Sequence, residues 1–138
     1  MPTYNNIGVA LFQILDNTAA ITALVDHRIY PLRSAPDARF PFIVYAVEST
    51  GPNNTKDGAS ITDAYEVQIS IFSEAFTEAT TVAETVRETL DYISHGIYNG
   101  IHVQSISYNN ENDGLDDDIL PDGVYVKTQT YNCRLIFS

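Results

Sequence analysis

Along the first 25 residues the apolar positions recur every three or four, the period of a helix with one buried side. Ile7, Leu11, Ile14 and Leu15 form the first stripe and Asp16 and Asn17 break it, which predicts a helix over about residues 5–16. A shorter helical turn follows in NTAAITALV, with Asn17 or Thr18 as its cap and Ile21, Leu24 and Val25 as its buried side. The chain then turns extended, because Ile29 and Tyr30 precede Pro31 and a residue before proline is pushed out of helical geometry. After an irregular connection from Leu32 to Pro41, PFIVYAVEST reads as a buried strand rich in β-branched and aromatic residues. GPNNTKDGAS, residues 51–60, concentrates turn-forming residues and reads as a long polar hairpin loop.

The period changes to two in DAYEVQISIFS, where Tyr65, Val67, Ile69 and Ile71 point one way and Glu66, Gln68 and Ser70 the other. One face of that sheet is therefore wet or meets a polar partner. The longest helix is predicted from about Glu74 to Ser94, with Ala75, Ala79, Val82, Ala83, Val86, Leu90 and Ile93 at helical spacing and Gly96 placed to end it. Glu78, Thr81, Glu84, Thr85 and Glu88 form its outer face. GIHVQSISYNN and GVYVKTQTYNCRLIF supply the last strands, separated by the acidic loop ENDGLDDDILPDG. This order predicts one α+β domain over residues 1–138, with a mainly antiparallel four- to five-stranded sheet and two main helices packed on one face.

Composition narrows the functional classes. The chain has 138 residues, 44% of them hydrophobic, enough for one core and short of two ordinary domains. Its 18 acidic and 7 basic side chains leave a net charge of -11, which repels a phosphate backbone except at a local basic patch. Arg28, Arg33, Arg39, Lys56, Arg87, Lys127 and Arg134 are scattered singly, which argues against a nucleic-acid platform. The N-terminal MPTYNNIGVALFQILDN lacks a basic start, and Gln13 and Asp16 interrupt it, so a soluble chain made in a cytoplasm is expected. The single Cys133 admits no intrachain disulfide and fits a reducing compartment.

Four stretches carry candidate chemistry. Asp26, His27, Arg28 and Tyr30 crowd together in VDHRIYP, but neighbours in an extended segment point in opposite directions, so a helix-to-strand joint is expected rather than a catalytic cluster. His27 and Arg28 are expected near the last carbonyls of the short helix, and Tyr30 to bury its ring. With Gly114 at the sixth position of a calcium loop, Asn109, Glu111 and Asp113 fall at positions one, three and five and Asp117 at nine, yet Leu120 stands at the twelfth, where a bidentate Glu is needed, and both flanks read as strands. A solvated, self-repelling loop is expected there, with a weak divalent site among Asp113, Asp116, Asp117 and Asp118 as the alternative. Cys133 alternates with Tyr131, Leu135 and Phe137 on an inward face, where a thiol acts as a small hydrophobe rather than a nucleophile served by His27, His95 or His102. Those histidines lack zinc-site spacing, and GPNNTKDG lacks the lysine and following Ser or Thr of a phosphate loop. No catalytic residue, metal ligand or cofactor is expected.

The order and spacing of ITALVDHRIYP, FPFIVYAVES, YEVQISIFSEAFTEATTVAETVRETLD, IHVQSISY and YVKTQTYNCRLIF, from about Leu11 to Phe137, resemble the tail-completion or tail-terminator proteins of long-tailed bacteriophages and prophages. Two features depart from the usual pattern: His27 stands where glycine commonly precedes the Arg of RIYP, and the NNENDGLDDDILPDG loop is longer and more acidic. The resemblance implies a structural virion protein, not an enzyme. Such a protein caps the head-proximal end of the tail tube as a hexameric ring, stops tube growth and joins the tail to the head connector or stopper. DNA passes through its lumen without specific binding, and neither a membrane nor a cofactor is implied. A different neck or tail component, such as a head-tail stopper or tube-like subunit, is the alternative, followed by a small ligand-binding α+β domain. A closed ring needs two complementary surfaces on each subunit, expected from the acidic helix face and from a sheet carrying Lys127 and Arg134. The expected interaction loops carry Asn53, Asn54, Lys56 and Asp57, and Asp113, Asp116, Asp117 and Asp118. Deleting residues 52–58 is expected to abolish tail joining in vitro while leaving the far-UV circular dichroism unchanged; unimpaired joining would remove this loop from the interface.

Overall fold

Strict alternation in two long central strands decides which way every element of this domain faces. The computed structural model describes residues 7–32, 39–52, 62–91, 93, 96–98, 100–116 and 123–136. In chain order they form α1 (Ile7–Asp16), α2 (Ala19–Val25), β1 (Ile29–Pro31), β2 (Phe42–Pro52), β3 (Thr62–Ser73), α3 (Phe76–Leu90), β4 (Gly96–Tyr98), β5 (Ile101–Asp116) and β6 (Val124–Ile136). The strands lie in the order β1-β2-β3-β6-β5-β4, with β3 and β6 antiparallel at the centre from Thr62↔Ile136 to Ser73↔Tyr125. Tyr65, Val67, Ile69 and Ile71 on β3 and Tyr131, Cys133 and Leu135 on β6 are buried against the helices, as the period-two pattern requires. Ile7, Leu11, Leu15, Val82, Val86 and Leu90 close the same core from the helical side.

The architecture is α+β as expected, but the sheet is larger and mixed. It has six strands rather than four or five, and β1 runs parallel to β2 with Ile29 opposite Ile43. The two additional strands, β1 and β4, are three residues each, too short to carry a period of their own. Among the described residues there are three helices, the shortest being the α2 turn.

The bounds of three elements also differ from the sequence expectation. The long helix spans Phe76–Leu90 rather than Glu74–Ser94. It ends because Asp91 turns extended (φ -67°, ψ 140°), its carboxylate accepting a hydrogen bond from Tyr108 N at 3.0 Å, and Ile93 then bridges Ile106 of β5. Gly96, expected to stop the helix, opens β4. A Cβ on Gly96 would meet the Tyr98 ring at 2.7–2.8 Å. At the other end, the Ser73 hydroxyl accepts from Ala75 N and donates to Glu78 Oε1 at 2.7 Å, which fixes the turn into α3. β2 continues to Pro52, and β5 continues to Asp116 through half of the segment expected to be an acidic loop.

Burial raises the pKa of two groups on the inner face of β6, Cys133 and Tyr131. The Cys133 thiol is pushed from 9.0 up to about 12, and the Tyr131 hydroxyl is also pushed upward from 10.0. Groups that hold their protons more tightly when folded contribute stability below their unfolded values and lose it as pH rises through the folded ones. Denaturant midpoints should therefore stay level up to about pH 9 and fall between pH 9 and about 12, and Cys133→Ala should flatten part of that slope.

Candidate interaction surfaces

The inward row of β6 does not stay apolar along its length. Past Tyr131 it continues with Gln129 and Lys127, both buried, and these two side chains tie the β5–β6 hairpin to α3. Gln129 Nε2 donates to Ala83 O of α3 at 2.8 Å and to Glu111 Oε1 of β5 at 2.9 Å, while Tyr131 Oη donates to Gln129 Oε1 at 2.7 Å. Lys127, only 5% exposed, donates to Asp113 Oδ1 at 2.8 Å, lies 4.0 Å from Glu111 Oε2 and sits 4.5 Å from the centre of the Phe76 ring. A buried ammonium needs such partners, because leaving it unpaired costs more than any packing returns. Farther along α3, Arg87 lies over the Tyr108 ring at 3.7 Å and 3.7 Å from Asp91 Oδ2.

This chain of contacts changes the reading of the acidic segment. Asp113 belongs to a strand, opposite Lys127, and shares that cation with Glu111, so the self-repelling loop expected there is in fact paired ladder as far as Asp116. Lys127 in turn is not part of a basic surface, which corrects the expectation that it would face a neighbouring subunit. Asp116 ends β5, whereas Asp117, Asp118, Asn53, Asn54, Lys56 and Asp57 lie outside the described residues. Among the described residues no group of three His, Cys, Asp or Glu is placed to hold a metal ion.

VDHRIYP is the joint between α2 and β1, and its polar side chains diverge. Asp26 takes a positive φ of 57° after the helix. His27 Nδ1 bonds Asp16 Oδ1 of α1 at 2.6 Å, and that bond and charge raise its pKa above the ordinary value. Arg28 Nε donates to Pro41 O at 3.0 Å. His27 and Arg28 thus serve α1 and the start of β2 rather than the last carbonyls of α2. Tyr30 is half-buried, its ring edge-on to Phe42 at 6.0 Å. Cys133 is buried on the core face, and its raised pKa keeps it a neutral thiol at physiological pH.

The sheet face away from the helices is open. Glu66, Gln68 and Ser70 of β3 and Thr128, Thr130, Asn132 and Arg134 of β6 stand there exposed or half-buried. At one end this polar field gives way to Phe42 and Phe72, stacked at 4.8 Å, with Phe40 5.2 Å from Phe42. Large apolar side chains also reach solvent at Val9, Phe12, Leu32, Phe76, Ile97, Leu115 and Tyr125, positions the sequence pattern had not singled out. Leu115 and Tyr125, paired across the ladder, lie where the strands have run past the apolar core.

These features define a helix-backed mixed-sheet domain whose buried polar groups hold strands to helix and whose remaining character lies on its outer surfaces. The sequence family described as tail completion protein gp17 matches residues 9–127, and the chain belongs to that family. It is therefore a structural protein of phage tails, located in the virion. In fold it is similar to a chain of a solved structure titled virion of native gene transfer agent (GTA) particle, with a TM-score of 0.74 and 17% identity over 97% of this chain and 99% of that one. A second solved chain aligns with a TM-score of 0.64 and 14% identity, covering 100% of this chain and 99% of that one. No curated protein sequence matches the chain.

The hydrogen-bonded row on β6 makes a prediction about coupling. Gln129→Leu leaves the Tyr131 hydroxyl buried without its acceptor and should cost about 1–3 kcal/mol in urea unfolding. Adding Tyr131→Phe should recover part of that loss, so that the double variant is more stable than the two single effects sum to; strict additivity would mean the two side chains do not act as a unit.

Proposed function

We propose that this chain is the terminator of a phage tail: a hexameric ring of it closes the head-proximal end of the tail tube, stops tube polymerisation and offers a surface to the head connector or stopper. The observation that carries the reading is the tail-completion family match over residues 9–127, nearly the whole domain. The fold likeness to a chain of a gene transfer agent virion agrees with it. Charge supports the same role. With 18 acidic against 7 basic side chains, a ring of such subunits has a field of the same sign as DNA, which lets the genome pass through the lumen without sticking. Among the described residues no single helix is long and apolar enough to cross a membrane.

The segment carrying Asn53, Asn54, Lys56 and Asp57 and the segment carrying Asp116, Asp117 and Asp118 remain the proposed contacts to tube and connector, since the first joins the long strands β2 and β3 and the second the long strands β5 and β6. Because Pro52 belongs to β2, a deletion that tests the first of these loops without touching the sheet begins at Asn53.

Electron microscopy of tails made without this protein tests the terminator role against the neighbouring ones. Overlong tubes of variable length, restored to one length by adding the protein, are expected. Tails of normal length that merely fail to join heads would instead make it a stopper on the head side, and absence of any tube would make it a tube subunit.

A further inference from the structure

Along β5 every residue from Asn109 to Leu115 is exposed, whereas β3 and β6 alternate between buried and open positions. Its inner edge is paired to β6 as far as Asp116, so the open side is the outer edge. There β4 covers only Ile101 to Val103, and Ile93 adds one bridge at Ile106. The Ile106 N–H donates to Ile93 O at 2.9 Å and the Tyr108 N–H to Asp91 Oδ1 at 3.0 Å, both away from β6. Alternate residues of an antiparallel strand turn their backbone groups to the same side. Past the bulge at Asn109, Glu111, Asp113 and Leu115 stand opposite Gln129, Lys127 and Tyr125, in phase with Tyr108 opposite Tyr131. Their N–H and C=O groups therefore also turn outward, and among the described residues no strand pairs with them.

Helix α3 forms a wall beside this edge. Arg87 lies over Tyr108, Ala83 O accepts from Gln129, and Phe76 covers Lys127, so the helix follows β5 in the opposite direction from Tyr108 to Asp113. Glu84, Arg87, Glu88 and Asp91, one stripe at helical spacing, line a cleft of about 420 Å³ on the Tyr108 side. Wall and edge together carry five carboxylates, Glu84, Glu88, Asp91, Glu111 and Asp113. The two cations among them, Arg87 and Lys127, are both already engaged with these acids.

An unpaired strand edge is a template for another strand, and its charges decide which strand is admitted. A second β5 laid against this one would set Glu111 and Asp113 against the same acids, which repels. The remaining uncovered edges of the chain, on β1, on β4 and on β2 from Ala46 to Pro52, contain neither Lys nor Arg. We propose that the outer edge of β5 from Glu111 to Leu115 takes up, as an added strand, an extended segment of a different virion protein. That segment has Lys or Arg at the alternate positions beside Glu111 and Asp113 and an apolar residue beside Leu115. Its other face meets Asn110, Asn112 and Gly114, which are uncharged. The inference does not depend on the ring and holds equally for a terminator, a stopper or a tube component.

Amide hydrogen exchange of the full chain reads this edge directly. In dilute protein Glu111, Asp113 and Leu115 should exchange fast, while Asn112 and Gly114, turned to β6, exchange slowly. The blocked peptide TVTKTKT, running antiparallel, sets Val beside Leu115 and Lys beside Asp113 and Glu111. At millimolar concentration it should slow those three amides, and TVTETET should not. Glu111→Gln keeps an acceptor for Gln129 and should weaken the Lys peptide about two- to fivefold, the size of one cross-strand ion pair. Leu115→Pro removes one outward N–H at an edge position and should weaken it about two- to tenfold. Far-UV circular dichroism checks both variants, and Glu111→Gln suffices if the proline variant misfolds.

Three results would overturn the proposal. If the three amides are already slow in dilute protein, the edge is covered within the chain. If they slow when the protein alone is concentrated, the occupant is a second copy. If both peptides protect the edge equally, or neither does, no cationic strand is recognised there.

Discussion

The antiparallel register of β3 on β6 is the constraint on which the other elements depend. Thr62 faces Ile136 at one end and Ser73 faces Tyr125 at the other, with no bulge between them. Because side chains alternate, that one register puts Tyr65, Val67, Ile69 and Ile71 beside Tyr131, Cys133 and Leu135 and leaves Glu66, Gln68 and Ser70 outside. A slip of one residue on either strand would present polar groups to α1 and α3, so the pairing and the helix packing stabilise each other. The neighbouring ladders are less regular. The β2–β3 register shifts between Val47 and Ser49, and β5–β6 shifts twice, between Val103 and Ser105 and between Tyr108 and Asn110. Such bulges increase local twist and let the outer strands bend around a straight central pair.

The same register carries β6 beyond the apolar core while its odd-numbered positions still point inward. Lys127 and Gln129 are the result, two polar side chains in positions the alternation assigns to the interior. They are tolerated because β5 brings Asp113 and Glu111 to Lys127, and α3 brings the Ala83 carbonyl to Gln129. Removing a single member would strand a buried donor or charge, and that makes this a more demanding joint than an apolar one. Its effect is to hold the hairpin and the first turn of α3 as one body, which is what allows Phe76, Leu115 and Tyr125 to form a defined surface.

Scarcity of cations shapes the surface. Of the seven basic side chains, Arg28 is engaged with the Pro41 carbonyl, Arg87 with Tyr108 and Asp91, and Lys127 with Glu111 and Asp113. The field outside is left to Glu74, Glu84 and Glu88 and to the exposed acids of β5. A structural protein of a phage tail tolerates that imbalance, since its neighbours in the virion are other virion proteins.

The amino-acid sequence by itself determined the layers. Period-two and helical stripes are local consequences of which residues face a core, so β3, β6, α1 and the body of α3 were legible, as were the inward Cys133 and the joint at Asp26–Tyr30. The family was legible too, because it rests on the order of such elements and not on any single residue. Only the tertiary structure decided the sheet edges, where β1 and β4 exist through their neighbours and have no period of their own. It also decided the end of α3, where Asp91 is drawn to the Tyr108 N–H seventeen residues away. The acidic run after Asn110 looked like a loop because along the chain its charges have only each other. In the fold the counter-charge comes from Lys127 on the next strand, and a contact across fourteen residues leaves no local pattern to read.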